Sequence, residues 1–246
     1  MVGLLKGELL KVKRKKVLLV VFCIQMLALL WLFGVMSQSN KAFYNWNALI
    51  SQLSIINGLF LPILIAMITS RIVDFENKGN TWKLLFAMPI PRLSIYMLKI
   101  ICSILFLGFA NIIAYIGVIC IGKMLHFVDS IPIILLWKYS FFTLIGSMPM
   151  VILQLWISLS VKNQVFALAA GVIGTFLGYF SQMFPWSKLM IWGYPSLTSP
   201  ISWTFSEGHV VYFSNTEVST NLLISLGVTA LLIGCSCIQM MRKDIH

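Results

Sequence analysis

Six apolar runs limit what this chain can fold into. Residues 17–36, 49–70, 100–122, 139–160, 165–182 and 222–241 each approach the length of about 20 residues that a helix needs to cross the hydrocarbon core of a bilayer. Inside lipid no water satisfies backbone N–H and C=O groups, so such runs must bond internally as helices. The expectation is an all-α membrane protein with six transmembrane helices. With 59% hydrophobic and 10% charged residues and a mean hydropathy of +0.94, the chain exceeds the apolar content of globular proteins. A net charge of +11 raises the question of nucleic acid, but the cations lie between the apolar runs, so no nucleic-acid partner is expected.

The distribution of Lys and Arg sets the expected orientation. Lys6, Lys11, Lys13, Arg14, Lys15 and Lys16 precede the first run, and Arg71, Lys78, Lys83, Arg92 and Lys99 follow the second. Lys162, Arg242 and Lys243 join them on one side, against only Lys41, Lys123, Lys138 and Lys188 on the other. By the positive-inside bias both termini and the 71–99 segment are expected in the cytoplasm. The first run starts too late and continues too long for a cleaved signal peptide and reads as an anchor. All five cysteines, Cys23, Cys102, Cys120, Cys235 and Cys237, fall in the runs, where they act as small hydrophobes. Cys235-Ser236-Cys237 has no His or carboxylate beside it and is a poor metal site.

Residues 1–16 place Leu5, Leu9 and Val12 on one helical face among Lys6 and Lys13, the pattern of an interfacial amphipathic helix. Glu8, three residues before Lys11, stabilises that helix or touches a cytoplasmic partner. The second run holds Asn57, Gly58 and a kinking Pro62; Asn111 and then Pro149 and Gln154 follow in the third and fourth, as polar groups that bond across helices. No run contains Asp, Glu, Lys, Arg or His in its interior, which removes support for proton- or ion-driven transport. Gly117-x4-Gly122-Lys123 imitates a phosphate loop, but Met124 stands where Ser or Thr must hold magnesium. Energy for driven work must come from elsewhere.

In the fifth run, Ala170, Gly174 and Gly178 recur at four-residue spacing beside Ala167 and Gly171, a small-residue stripe for close helix approach, either within the chain or to a second copy. Residues 125–136 are too short to cross, contain Pro132, and are expected at the outer interface with Asp129 exposed. The longest outer segment, 183–221, carries three prolines together with Trp186, Trp192, Tyr194 and Trp203, candidate substrate contacts on an aromatic belt or on a cap of short re-entrant or surface helices. Glu207 and His209 are its distinctive ionisable pair, structural or in contact with a ligand. No linker or second soluble domain interrupts the pattern, so residues 1–246 read as one membrane domain.

The most polar interruption, residues 71–99, has a Gly79-Asn80 turn, an amphipathic segment at 81–88, and Pro89-Ile90-Pro91 as a stop. Thr81 is a candidate N-cap, and Trp82, Leu85 and Phe86 share a helical face flanked by Lys78, Lys83 and Arg92. Such a face suits a protein groove or lipid headgroups; Glu76 suits a basic partner better than anionic lipid.

Six runs, a basic interfacial start with Glu8-x-x-Lys11, and the string Glu76-x-x-Gly79-x-Thr81-x-x-x-Leu85-x-x-x-Pro89-x-Pro91-Arg92 resemble the permease subunits of ABC type-2 exporters. The length and short loops look most like the bacterial permeases for lantibiotic immunity and bacitracin-type peptide resistance. The resemblance implies that the segment between the second and third spans is a coupling helix docked on a separate ABC ATP-binding subunit. ATP and Mg would sit on that partner, with no cofactor bound by this chain. It also implies a second permease copy or a homologous permease, an amphipathic peptide substrate, and a place in the bacterial plasma membrane. A small drug, ion or lipid as cargo, and a non-transporting scaffold or peptide sensor, are the alternatives.

Overall fold

The computed structural model describes residues 7, 16–39, 44–79, 82, 90–206 and 209–242. The expected interfacial helix at 1–16 lies outside the described residues except for Gly7 and Lys16, and so does the expected coupling helix at 81–88 except for Trp82. The membrane helices are α1 (Val17–Gln38), α2 (Trp46–Gly79), α3 (Arg92–Met124), α4 (Ile133–Ser160) and α5 (Gln164–Ser181); a one-turn helix α6 (Tyr194–Leu197) precedes the sixth, α7 (Val218–Arg242). All six are long and apolar enough to cross a membrane.

The second and third helices are longer than their apolar runs. α2 has 34 residues and α3 has 33, each about 50 Å long against a hydrocarbon core of about 30 Å. Most of the polar segment expected as a loop is therefore helix: 71–79 continues α2 and 92–99 opens α3, leaving only 80–91 as connection. Helix persists past the lipid boundary because α2 stays two-faced there. Ile72, Val73 and Glu76 are buried, while Arg71 and Lys78 point outward and Lys78 pairs with Asp74 at 2.9 Å. At the other end α4 starts at Ile133, so the interfacial segment expected at 125–136 gives its last residues to a helix capped by Pro132.

α2 is the most enclosed helix and packs against α1, α3, α4 and α5, while α7 lies on α4 and α3. Polar side chains join the helices as the sequence leads one to expect. Asn57 donates to Tyr139 Oη (2.8 Å), Ser140 to Asn111 Oδ1 (3.3 Å), Gln154 to the Ala167 carbonyl (2.5 Å), and Tyr96 to Ser236 (2.8 Å). Pro149 lacks the N–H that the Ile145 carbonyl would accept in a regular helix, and Ser225 of α7 supplies the missing donor at 3.2 Å. The glycines of the imitation phosphate loop lie inside α3. Gly117 gives room to Leu29 and Gly122 to Trp46, so both serve helix packing.

Residues beyond α5 cap the end opposite to Arg71 and Lys99. Two 3-10 turns (Ser187–Leu189 and Ile191–Gly193) and α6 meet the expectation of short helices. The cap also contains a hairpin absent from the sequence reading, β1 (Ile201–Ser206) antiparallel to β2 (His209–Ser214), with Trp203 opposite Tyr212. Asn215 and Asn221 fasten this cap to the start of α7: Asn215 donates to the carbonyls of Leu197 (3.3 Å) and Ser199 (3.0 Å), and Asn221 to that of Leu197 (2.9 Å).

Candidate functional site

The residues expected for partner docking divide at the basic end of the bundle. Glu76 is fully buried, and its Oε1 lies 3.4 Å from Lys99 Nζ, itself 1% exposed. The carboxylate expected to face a partner thus points inward, because helix α2 continues past Arg71 and turns position 76 toward α3. A carboxylate in that setting needs a cation at hydrogen-bond range, since an unpaired buried charge is strongly unfavourable. Lys99, the eighth residue of α3, supplies it.

Trp82 also faces inward. Its ring lies 5.4 Å from Lys99 Nζ, it packs on the cluster of Val73, Tyr96 and Ile100, and its Nε1 donates to Asn77 Oδ1 at 2.7 Å. The other end of that amide donates to the Lys162 carbonyl at 3.1 Å, in the short connection between α4 and α5. Asn163 then caps α5 by accepting from Val165 N at 3.0 Å. Lys99, Glu76, Trp82 and Asn77 therefore join three elements at one point: the end of α2, the start of α3 and the entry to α5. Gly79 is the exposed last residue of α2 and Arg92 the half-buried first residue of α3. Thr81, Lys83, Leu85, Phe86 and Pro89 lie outside the described residues.

The small-residue stripe of α5 is occupied within the chain. A Cβ at Gly171 would meet Ala66 of α2, and at Gly174 or Gly178 it would meet Trp192. Ala167 is fully buried and Ala170 half-buried. Trp192, expected as a substrate contact, is half-buried and fills the space that the two glycines leave. Tyr194 is buried too; its hydroxyl donates to the Lys188 carbonyl at 2.9 Å, and desolvation raises its pKa above the ordinary value. Trp186 is exposed and stacks on Phe184, with ring centroids 5.3 Å apart. Glu207 lies outside the described residues, and His209 is described only as the first residue of β2.

Trp203 borders a recess of ≈ 430 Å³ at the capped end. Ser51 and Ser54 of α2, Tyr179 and Gln182 of α5, and Asn215 and Asn221 line it along with Trp203. Its surface mixes aromatic rings and side-chain amides with serine hydroxyls, and it carries the Glu217 carboxylate, which pairs with Lys188 at 2.9 Å. α2 and α5 thus run from the buried ion pair at one end to this recess at the other.

Sequence reasoning missed Lys99 as the partner of Glu76, Asn77 as the link to α5, and the two asparagines of the cap. Asn215-x-Glu217 before an apolar run was a legible helix-entry signal, and the Asn215 side chain accepts from Glu217 N at 3.0 Å. A pairing across 23 positions had no local signal.

A family model described as ABC-2 family transporter protein matches residues 4–178, which include α1 to α4 and most of α5. No curated protein matches the chain.

Proposed function

The chain belongs to the ABC-2 transporter family and is a multi-pass membrane permease whose family implies an ABC ATP-binding partner, and on that premise we propose the following assignment. It is the membrane-spanning subunit of an ATP-driven exporter that expels amphipathic antimicrobial peptides from a bacterial plasma membrane, as in lantibiotic immunity. The ATP-binding subunit, carrying ATP and Mg, docks at the basic, cytoplasmic end on residues 80–91. A second copy or a homologous permease completes the transporter, through a face other than the α5 glycine stripe.

The observation that carries this reading is the Glu76–Lys99 pair under Trp82. The pair joins α2 and α3 on either side of the 80–91 connection, so force applied there reaches both helices together. Through Asn77 and Lys162 it reaches the entry of α5 as well. α2 and α5 also line the recess at the far end, which is where a movement of the two would be felt by cargo. The lining of that recess, rings and amides beside serine hydroxyls and the Glu217 carboxylate, suits an amphipathic molecule.

Two measurements test the reading. Trp82→Ala should lower co-purification of an ABC ATP-binding subunit, or its stimulated ATP hydrolysis; no change in either sinks the docking role. Hosts expressing both subunits should gain resistance to a nisin-like peptide and not to small cationic drugs. The reverse pattern replaces the peptide with a drug as cargo.

A further inference from the structure

At the basic end, between the last turns of α2 and the entry of α5, lies a recess of ≈ 520 Å³. Its outer rim carries Arg71, Lys78 and Lys162 against a single carboxylate, Asp74. Lys78 and Asp74 neutralise each other at 2.9 Å, which leaves Arg71 and Lys162, both exposed, without an anionic partner among the described residues. The inner rim is apolar: Met67, Val165 and Leu168. Met67 belongs to the final turn of the second apolar run and Val165 opens the fifth, so the recess straddles the line where lipid contact gives way to charge.

Two buried residues that line it each have a polar atom with no hydrogen-bond partner among the described residues. Ser70 is 3% exposed and its Oγ is unbonded; Gln164 is 8% exposed and its Oε1 is unbonded. The Gln164 amide nitrogen is already committed to the Ser158 carbonyl at 2.9 Å and that of Val161 at 3.3 Å, so the side chain is fixed with its oxygen left over. Buried polar atoms without partners are uncommon and destabilising. Here they ask for a ligand that brings a hydroxyl donor along with a negative charge and an apolar chain.

We propose that this recess binds one anionic phospholipid with a hydroxylated headgroup, of the phosphatidylglycerol type. Arg71 and Lys162 hold the phosphate, Gln164 Oε1 and Ser70 Oγ take the headgroup hydroxyls, and an acyl chain runs along Met67, Val165 and Leu168. A zwitterionic choline lipid offers neither net charge nor a donor. An ethanolamine lipid offers a donor without net charge, and phosphatidic acid offers charge without a headgroup hydroxyl. The site adjoins the Asn77–Trp82 contact and does not rest on the identity of the cargo.

The test is native mass spectrometry of the full chain released from micelles doped with equal amounts of phosphatidylglycerol and phosphatidylcholine. The wild-type chain should retain the glycerol lipid about tenfold over the choline lipid, the ratio expected from one well-formed charge-assisted contact. Arg71→Gln/Lys162→Gln should remove that preference, and in micelles doped instead with phosphatidylglycerol and phosphatidic acid Ser70→Ala should narrow the preference for the glycerol lipid. Lys123→Gln/Lys138→Gln, at the opposite end, should leave it within about twofold. Lys162→Gln alone, in a surface connection, provides the reading if the double variant lowers the melting temperature. Equal retention of both lipids by the wild type overturns the proposal, as does undiminished preference in Arg71→Gln/Lys162→Gln. Displacement by millimolar inorganic phosphate assigns the site to a free anion, and loss of the ATP-binding subunit with lipid retention unchanged assigns it to a protein contact; either overturns it.

Discussion

Substituting Lys99 by Met isolates the role of the buried pair. The substitution removes the cation that lies 3.4 Å from the fully buried Glu76 carboxylate. At an effective dielectric constant of about 20, that separation corresponds to an attraction of about 5 kcal/mol, most of it offset in the wild type by desolvation of both groups. Loss of one partner keeps the desolvation and removes the attraction, so Lys99→Met should destabilise the chain by roughly 3–5 kcal/mol. Glu76→Gln should act less severely, because the amide still accepts from Lys99. The double variant Glu76→Gln/Lys99→Met removes both charges and should recover at least half of the single-variant loss. The assay is reversible unfolding in mixed micelles of dodecyl maltoside and sodium dodecyl sulfate, followed by tryptophan fluorescence. Strict additivity of the two substitutions, or a Lys99→Met effect below about 1 kcal/mol, refutes the claim that the pair ties α2 to α3.

Two further substitutions probe how the bundle is closed. Gly174→Val places a branched side chain where the Trp192 ring lies and should cost about 1–3 kcal/mol, with greater protease sensitivity between α5 and α6; unaltered stability and digestion would show that the ring has another resting place. His126 ends α3 in the left-handed region (φ 55°), with Phe127 N bonded to Gly122 O and His126 N to Lys123 O, a Schellman end that favours glycine. His126→Gly should therefore raise stability by roughly 0.5–1 kcal/mol in the same assay, and a loss would contradict the backbone argument.

The membrane helices were legible because a bilayer imposes a length on apolar runs and leaves helix as the internally satisfied choice. Their polar ends were not. After Ser70 the rise in charge reads as a loop, whereas the backbone continues as helix because Ile72, Val73 and Glu76 still face the core. The same local view turned Glu76 outward, for its partner Lys99 arrives from another helix. The α5 glycines announced a close contact but not its occupant, since Trp192 comes from the cap. The hairpin had a signal in the β-branched and aromatic residues of Ile201–Ser206 and His209–Ser214, and it was overlooked because those rings also suit a membrane interface.

In the proposed transporter a partner's ATP hydrolysis enters through the connection between α2 and α3. The most direct measurement places a photoreactive amino acid at Leu85, within that connection, or at Lys138, near the opposite end of the bundle. Each form is irradiated in membranes containing the ATP-binding subunit. A covalent adduct with that subunit from position 85 and none from position 138 is the predicted result. Absence of the adduct at 85, or adducts of equal yield from both positions, contradicts the account.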